Sequence, residues 1–92
     1  MSQMRKPYQV KGIAAEVRPE TLAPFAAWAA PTPGEIRAAL QAAGWTGEGC
    51  AKTLGINPRT ARRWLGDEVE IPYAAWAVLC AAAGWGHIWE AD

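Results

Sequence analysis

The chain has 92 residues, balances nine Lys and Arg against nine Asp and Glu, and is 51% apolar. That length suits one small domain, which must bury a large share of its apolar groups to fold alone. No apolar run reaches the roughly 18 residues that span a bilayer, and Met1 to Lys11 lacks the apolar stretch of a secretory leader, so a cytoplasmic protein with no membrane partner is expected.

Residues 1–31 read as an N-terminal arm. Tyr8, Val10, Ile13 and Val17 suggest short extended pieces, while Pro19, Pro24, Pro31 and Pro33 interrupt any long helix. Phe25 and Trp28 lie three apart after Pro24, which suits a short helix that anchors the arm on the rest of the chain. Residues 1–18 are basic: Arg5, Lys6, Lys11 and Arg18 stand against only Glu16.

From Thr32 the pattern is helical. Thr32-Pro33-Gly34-Glu35 has the form of a capping box with proline at the first helical position. Ile36, Ala39, Leu40 and Ala43 then make one apolar stripe, and Gly44 ends it. Thr46 can cap a second helix over residues 47–54 with Cys50, Ala51 and Leu54 on one face. Gly55 supplies the left-handed turn, and Asn57-Pro58 opens a third helix with Ala61, Trp64 and Leu65 inward. Arg59, Arg62 and Arg63 must point away from that stripe. Residues 52–66 hold four basic side chains and no acid, whereas Asp67, Glu68 and Glu70 follow at once, so a zero net charge conceals a basic face beside an acidic one.

Pro72 opens a fourth helix carrying Tyr73, Trp76, Ala77, Cys80 and Ala83 at spacings of three and four, closed by Gly84. Trp85, Ile88 and Trp89 in the tail, residues 85–92, are more apolar surface than a free end normally shows, and are candidates for a dimer interface or for packing inward. The alanine-rich composition and these periods predict an all-α fold of four to five helices. Cys50 and Cys80 lack metal-ligand spacing and a disulfide framework, so both are expected as reduced core residues. His87, the one histidine, has no ligand or triad partner nearby in sequence; neither an enzyme, a metal nor a cofactor is expected.

Residues 47–66, GEGCAKTLGINPRTARRWLG, resemble the helix-turn-helix of Cro and lambda-repressor-like regulators, the XRE family, through Ala51, Gly55, Ile56, Ala61 and Trp64. With the flanking helices the resemblance extends over residues 32–84, a lambda-repressor-like DNA-binding domain. It implies that the third helix enters the major groove of double-stranded DNA. Carried over, Asn57, Arg59, Thr60 and Arg63 become the base readers. Lys52, Arg62 and the helix start at Thr46 and Gly47 become phosphate contacts, with Arg5, Lys6 and Lys11 of the arm as further backbone contacts.

The implied function is a transcriptional repressor of phage, plasmid or other mobile-element type, a homodimer on a palindromic operator. This chain departs from the family at Leu40 and Leu65, where relatives often pair an Arg with a Glu, in its acidic loop, and in the small Ala61. The acidic loop and neutral charge leave open an alternative, a module on the same fold that grips a protein partner.

Overall fold

The computed structural model describes residues 17–90. The basic residues Arg5, Lys6 and Lys11 and the extended pieces expected at Tyr8, Val10 and Ile13 lie outside the described residues. Four α-helices and two 3-10 turns form the described chain: turns at Pro19–Leu22 and Phe25–Ala27, then α1 Pro33–Ala43, α2 Gly47–Leu54, α3 Pro58–Leu65 and α4 Tyr73–Ala82.

Local chemistry accounts for each helix boundary. Thr32 Oγ1 accepts from the Glu35 N–H at 3.2 Å while the Glu35 carboxylate accepts from the Thr32 N–H at 2.8 Å, a reciprocal cap at the start of α1. Gly44 closes α1 with φ +74°, where the Trp45 N–H reaches back to the Leu40 carbonyl at 2.9 Å. Thr46 Oγ1 caps α2 through the Gly49 N–H at 2.9 Å, and Gly55, φ +73°, turns the chain toward α3. Pro72 precedes α4, whose ten residues are all apolar.

The segment before α1 is part of the domain. The helix expected after Pro24 is a single 3-10 turn, because Pro24 and Pro31 leave room for little more. Its anchoring role takes a form that apolar spacing does not announce. The buried Thr21 carbonyl accepts two indole N–H bonds, from Trp28 at 3.0 Å and Trp76 at 2.6 Å. Trp28 and Phe25 then pack edge-on against Tyr73, at ring-centroid separations of 5.1 and 5.4 Å, and the Tyr73 hydroxyl donates to the Ala23 carbonyl at 3.2 Å. Polar indole and phenol atoms are thus satisfied by backbone carbonyls while their rings stay in apolar contact.

The core joins Val17 and Leu22 to α1, α2, α3 and α4, with Trp76, Leu79 and Cys80 fully enclosed. Burying a ring the size of Trp76 removes about 150–250 Å² from water, roughly 4–6 kcal/mol of transfer free energy before ordering costs.

The C-terminal segment belongs to this core too. Trp85 is 4% exposed and Ile88 0%, and the Trp85 ring meets Trp76 edge-on at 6.4 Å. Their spacing in the tail makes both candidates for a dimer surface. Both fill the floor of their own domain, the inward packing that the same spacing allows; Trp89 remains at the surface, 48% exposed and stacked on His87 at 4.7 Å. The core therefore crosses both boundaries, at residues 31 and 85, that the helical pattern suggests. Cys50 and Cys80 are free and buried, and burial pushes both thiols up from their ordinary range, which leaves them unreactive at neutral pH. Among the described residues no helix is long and apolar enough to cross a membrane.

Candidate nucleic-acid interface

The packing of α2 against α3 determines which side chains remain outside. Ala51 is wholly buried, with Ala61 3% and Trp64 4% exposed, so the two helices meet through small residues backed by one indole. At the far end a Cβ on Gly47 would stand 3.5 Å from the Leu65 side chain. With Ala61 and Trp64 inward, helical geometry turns Arg59, Arg62 and Arg63 outward, and all three are exposed; Thr60 is half-buried. Ala61, small for its position, is buried, as is Trp64 one turn on.

Asn57 takes the capping role that Asn57-Pro58 implies. Its Oδ1 accepts the Arg59 N–H at 2.8 Å, a cap at the start of α3. Pairing with an adenine edge would need that oxygen as an acceptor for the base, so capping competes with the base reading implied by the resemblance. Arg59 is exposed in the first turn of α3, with its backbone N–H held by that cap.

The expected phosphate contacts divide. Thr46 and Lys52, from the two ends of α2, line one open groove of about 510 Å³ together with Glu48, Gly49, Ile56 and Pro58. The groove joins the N-terminal end of α2 to that of α3, and helix N-termini carry partial positive charge. Lys52 and Thr46 favour an anion there, and Glu48 opposes one. Gly47 is half-buried at the same end, and Arg62 lies on α3.

Three charged contacts escape the sequence pattern. Arg18 does not extend the basic arm. Its Nε and Nη2 donate to the Glu35 carboxylate at 2.9 and 3.0 Å, and its backbone N–H donates to the same group at 2.8 Å. Glu35 is 5% exposed. Burial alone would raise its pKa, but the Arg18 side chain and the backbone N–H groups of Arg18 and Thr32 together hold the carboxyl below its usual range, and the same contact raises Arg18.

Arg37 is the second: its Nη2 donates to the Leu65 carbonyl at 3.1 Å, placing a cation on the negative end of α3. This links α1 to the end of α3, and its sequence signal is an arginine three residues before Leu40. Arg63 supplies the third, with Nε 3.7 Å from Glu68 Oε1 in the acidic loop.

Comparison with known proteins places this arrangement in a lineage. No family model matches the chain, and no solved structure matches it. The transcriptional repressor protein KorC of Escherichia coli is 51% identical over 79 residues, which cover 83% of this chain and 93% of that protein. A second Escherichia coli KorC is 49% identical over 77 residues, 80% of this chain and 91% of its own length. Identity of that degree over nearly the whole of each relative means that the chain belongs to the KorC family of transcriptional repressors.

Proposed function

We propose that the protein represses transcription by binding double-stranded DNA sequence-specifically, with a lambda-repressor-like domain of the Cro and XRE type whose α3 enters the major groove. The observation that carries this reading is the division of α3, with Ala61 and Trp64 buried while Arg59, Arg62 and Arg63 are exposed together. Arg59 and Arg63, one turn apart, each present a donor fork that matches guanine O6 and N7. Thr60 lies between them. Arg62, with Lys52, Thr46 and the amides near Gly47, is suited to phosphate, which fixes register without reading sequence.

One eight-residue helix offers few base contacts, so a homodimer on a palindromic operator with half-sites about one helical turn apart is the expected assembly. Trp89 and Val78, exposed apolar residues, are the surface for that pairing once Trp85 and Ile88 are assigned to the core. A short regulator of this kind suits a plasmid, phage or other mobile element.

Selection of bound sites from random duplexes tests the reading. Recovered sequences should share a motif of two inverted half-sites with guanine at the positions facing Arg59 and Arg63; recovery of no motif would reject sequence-specific recognition. The basic residues Arg5, Lys6 and Lys11 enter as backbone contacts from the arm. Deleting residues 1–12 should weaken binding to every duplex alike and flatten the salt dependence by up to about three phosphate contacts, a slope change near 0.9 each. Unchanged affinity and slope would remove the arm from the interface.

A further inference from the structure

The turn that ends α3 passes through one left-handed residue and folds the chain back on the helix end. At Gly66, a Cβ would press on the Arg62 carbonyl oxygen at 3.3 Å and reach the Glu68 carboxylate at 3.6 Å. Asp67 adopts φ +62°, a conformation that L side chains rarely take. The Glu68 N–H then donates back to the Arg63 carbonyl at 2.9 Å. Its carboxylate lies near Gly66 at the C-terminal end of α3, where the helix dipole disfavours negative charge. The product of this arrangement is an ion pair, Glu68 Oε1 at 3.7 Å from Arg63 Nε, with the two side chains 66% and 54% exposed. A pair so open to water adds little to stability. The turn itself caps the last carbonyls of α3, but stability does not account for the ion pair.

We infer that Glu68 is a specificity-determining residue that acts through Arg63, an inference resting on the assignment of Arg63 as a base reader. The carboxylate meets the guanidinium on its Nε side and leaves the two Nη groups as a donor fork. A partly neutralised guanidinium gains less from phosphate, and phosphate contact is the same on every sequence. A guanine edge still rewards the fork through two directed bonds, and a side chain already held by its neighbour loses less freedom in making them. Glu68 thus weakens sequence-blind binding and spares the sequence-dependent part, a selectivity obtained by penalising the wrong contact.

The test uses the full chain, the tightest duplex recovered by selection and a scrambled duplex of the same composition, titrated between roughly 50 and 200 mM salt. Glu68→Gln should tighten the scrambled duplex about fivefold at the low-salt end, steepen its log–log salt slope by about one, and change the selected duplex by less than about twofold. On an Arg63→Ala background the same substitution should change nothing. Unaltered selectivity and slope in Glu68→Gln would overturn the inference. So would an equal gain with Arg63 absent, since the carboxylate would then merely repel DNA. Arg63→Ala reports separately on the underlying assignment: if it leaves selectivity intact, Arg63 is not a base reader. If it lowers selectivity while Glu68→Gln does not, the role of Glu68 alone fails.

Discussion

Replacing Arg59 and Arg63 together by alanine is expected to lower affinity for the selected operator by about 30-fold to 2 × 10⁴-fold for each half-site, the sum of two bidentate contacts at roughly 1–3 kcal/mol each. Affinity for a scrambled duplex should fall far less, so the ratio between the two collapses. Both side chains are exposed and neither fills the core, so the thermal midpoint should stay near that of the parent chain. The contrast with Arg62→Ala makes the result diagnostic. Without its guanidinium to neutralise a phosphate, that variant should bind all duplexes more weakly in proportion, with a salt slope reduced by about one. A double variant that keeps its preference for the operator would place sequence reading elsewhere on the molecule.

The second large effect concerns stability. Glu35→Ala should cost about 3 kcal/mol, because a carboxylate 5% exposed accepts bonds from the Arg18 side chain and from the backbone N–H groups of Arg18 and Thr32. The loss joins two effects: α1 loses half of its reciprocal cap, and residues 17–18 lose their tie to α1. Glu35→Gln keeps the shape and some of the bonds and should fall between the parent and the alanine variant. The sign of the pH dependence follows from the direction of the shift. A carboxyl held below its unfolded value contributes fully above that value, near 4.3, and loses its contribution as the pH falls through the folded value. Urea unfolding of the parent at pH 7 and pH 3 should therefore show a drop in stability that is smaller in Glu35→Ala. An equal drop in both would mean that Glu35 does not govern the acid limb.

Much of this was legible from residue order, for identifiable reasons. Helix ends are governed by local chemistry, so Thr32 with Glu35, Gly44, Thr46, Gly55 and Asn57 with Pro58 all stood at the boundaries their side chains or backbone freedom imply. The outward placement of Arg59, Arg62 and Arg63 followed from the 3.6-residue period once Ala61 and Trp64 were assigned inward.

What escaped the pattern depends on contacts between distant residues. Trp85, Ile88 and Trp89 share one apolar spacing, and only the return of the chain against Trp76 separates the two that are buried from the one at the surface. Arg18 counted as arm charge because its partner is 17 positions away. Asn57 was legible both as a cap and as a base reader, since one amide serves either role until its oxygen is seen to be engaged. The Glu68 contact depends on a left-handed Asp67, and aspartate at a turn does not by itself announce that conformation.

The pair of indole donors on the Thr21 carbonyl sets a limit on shortening the chain. Because those bonds hold the polypeptide from Val17 to Trp28 against α4, truncations that run past Val17 unplug Val17, Thr21 and Leu22 from the interior. A repressor trimmed into that stretch would fall silent through loss of its fold, and its failure to bind would carry no information about the operator.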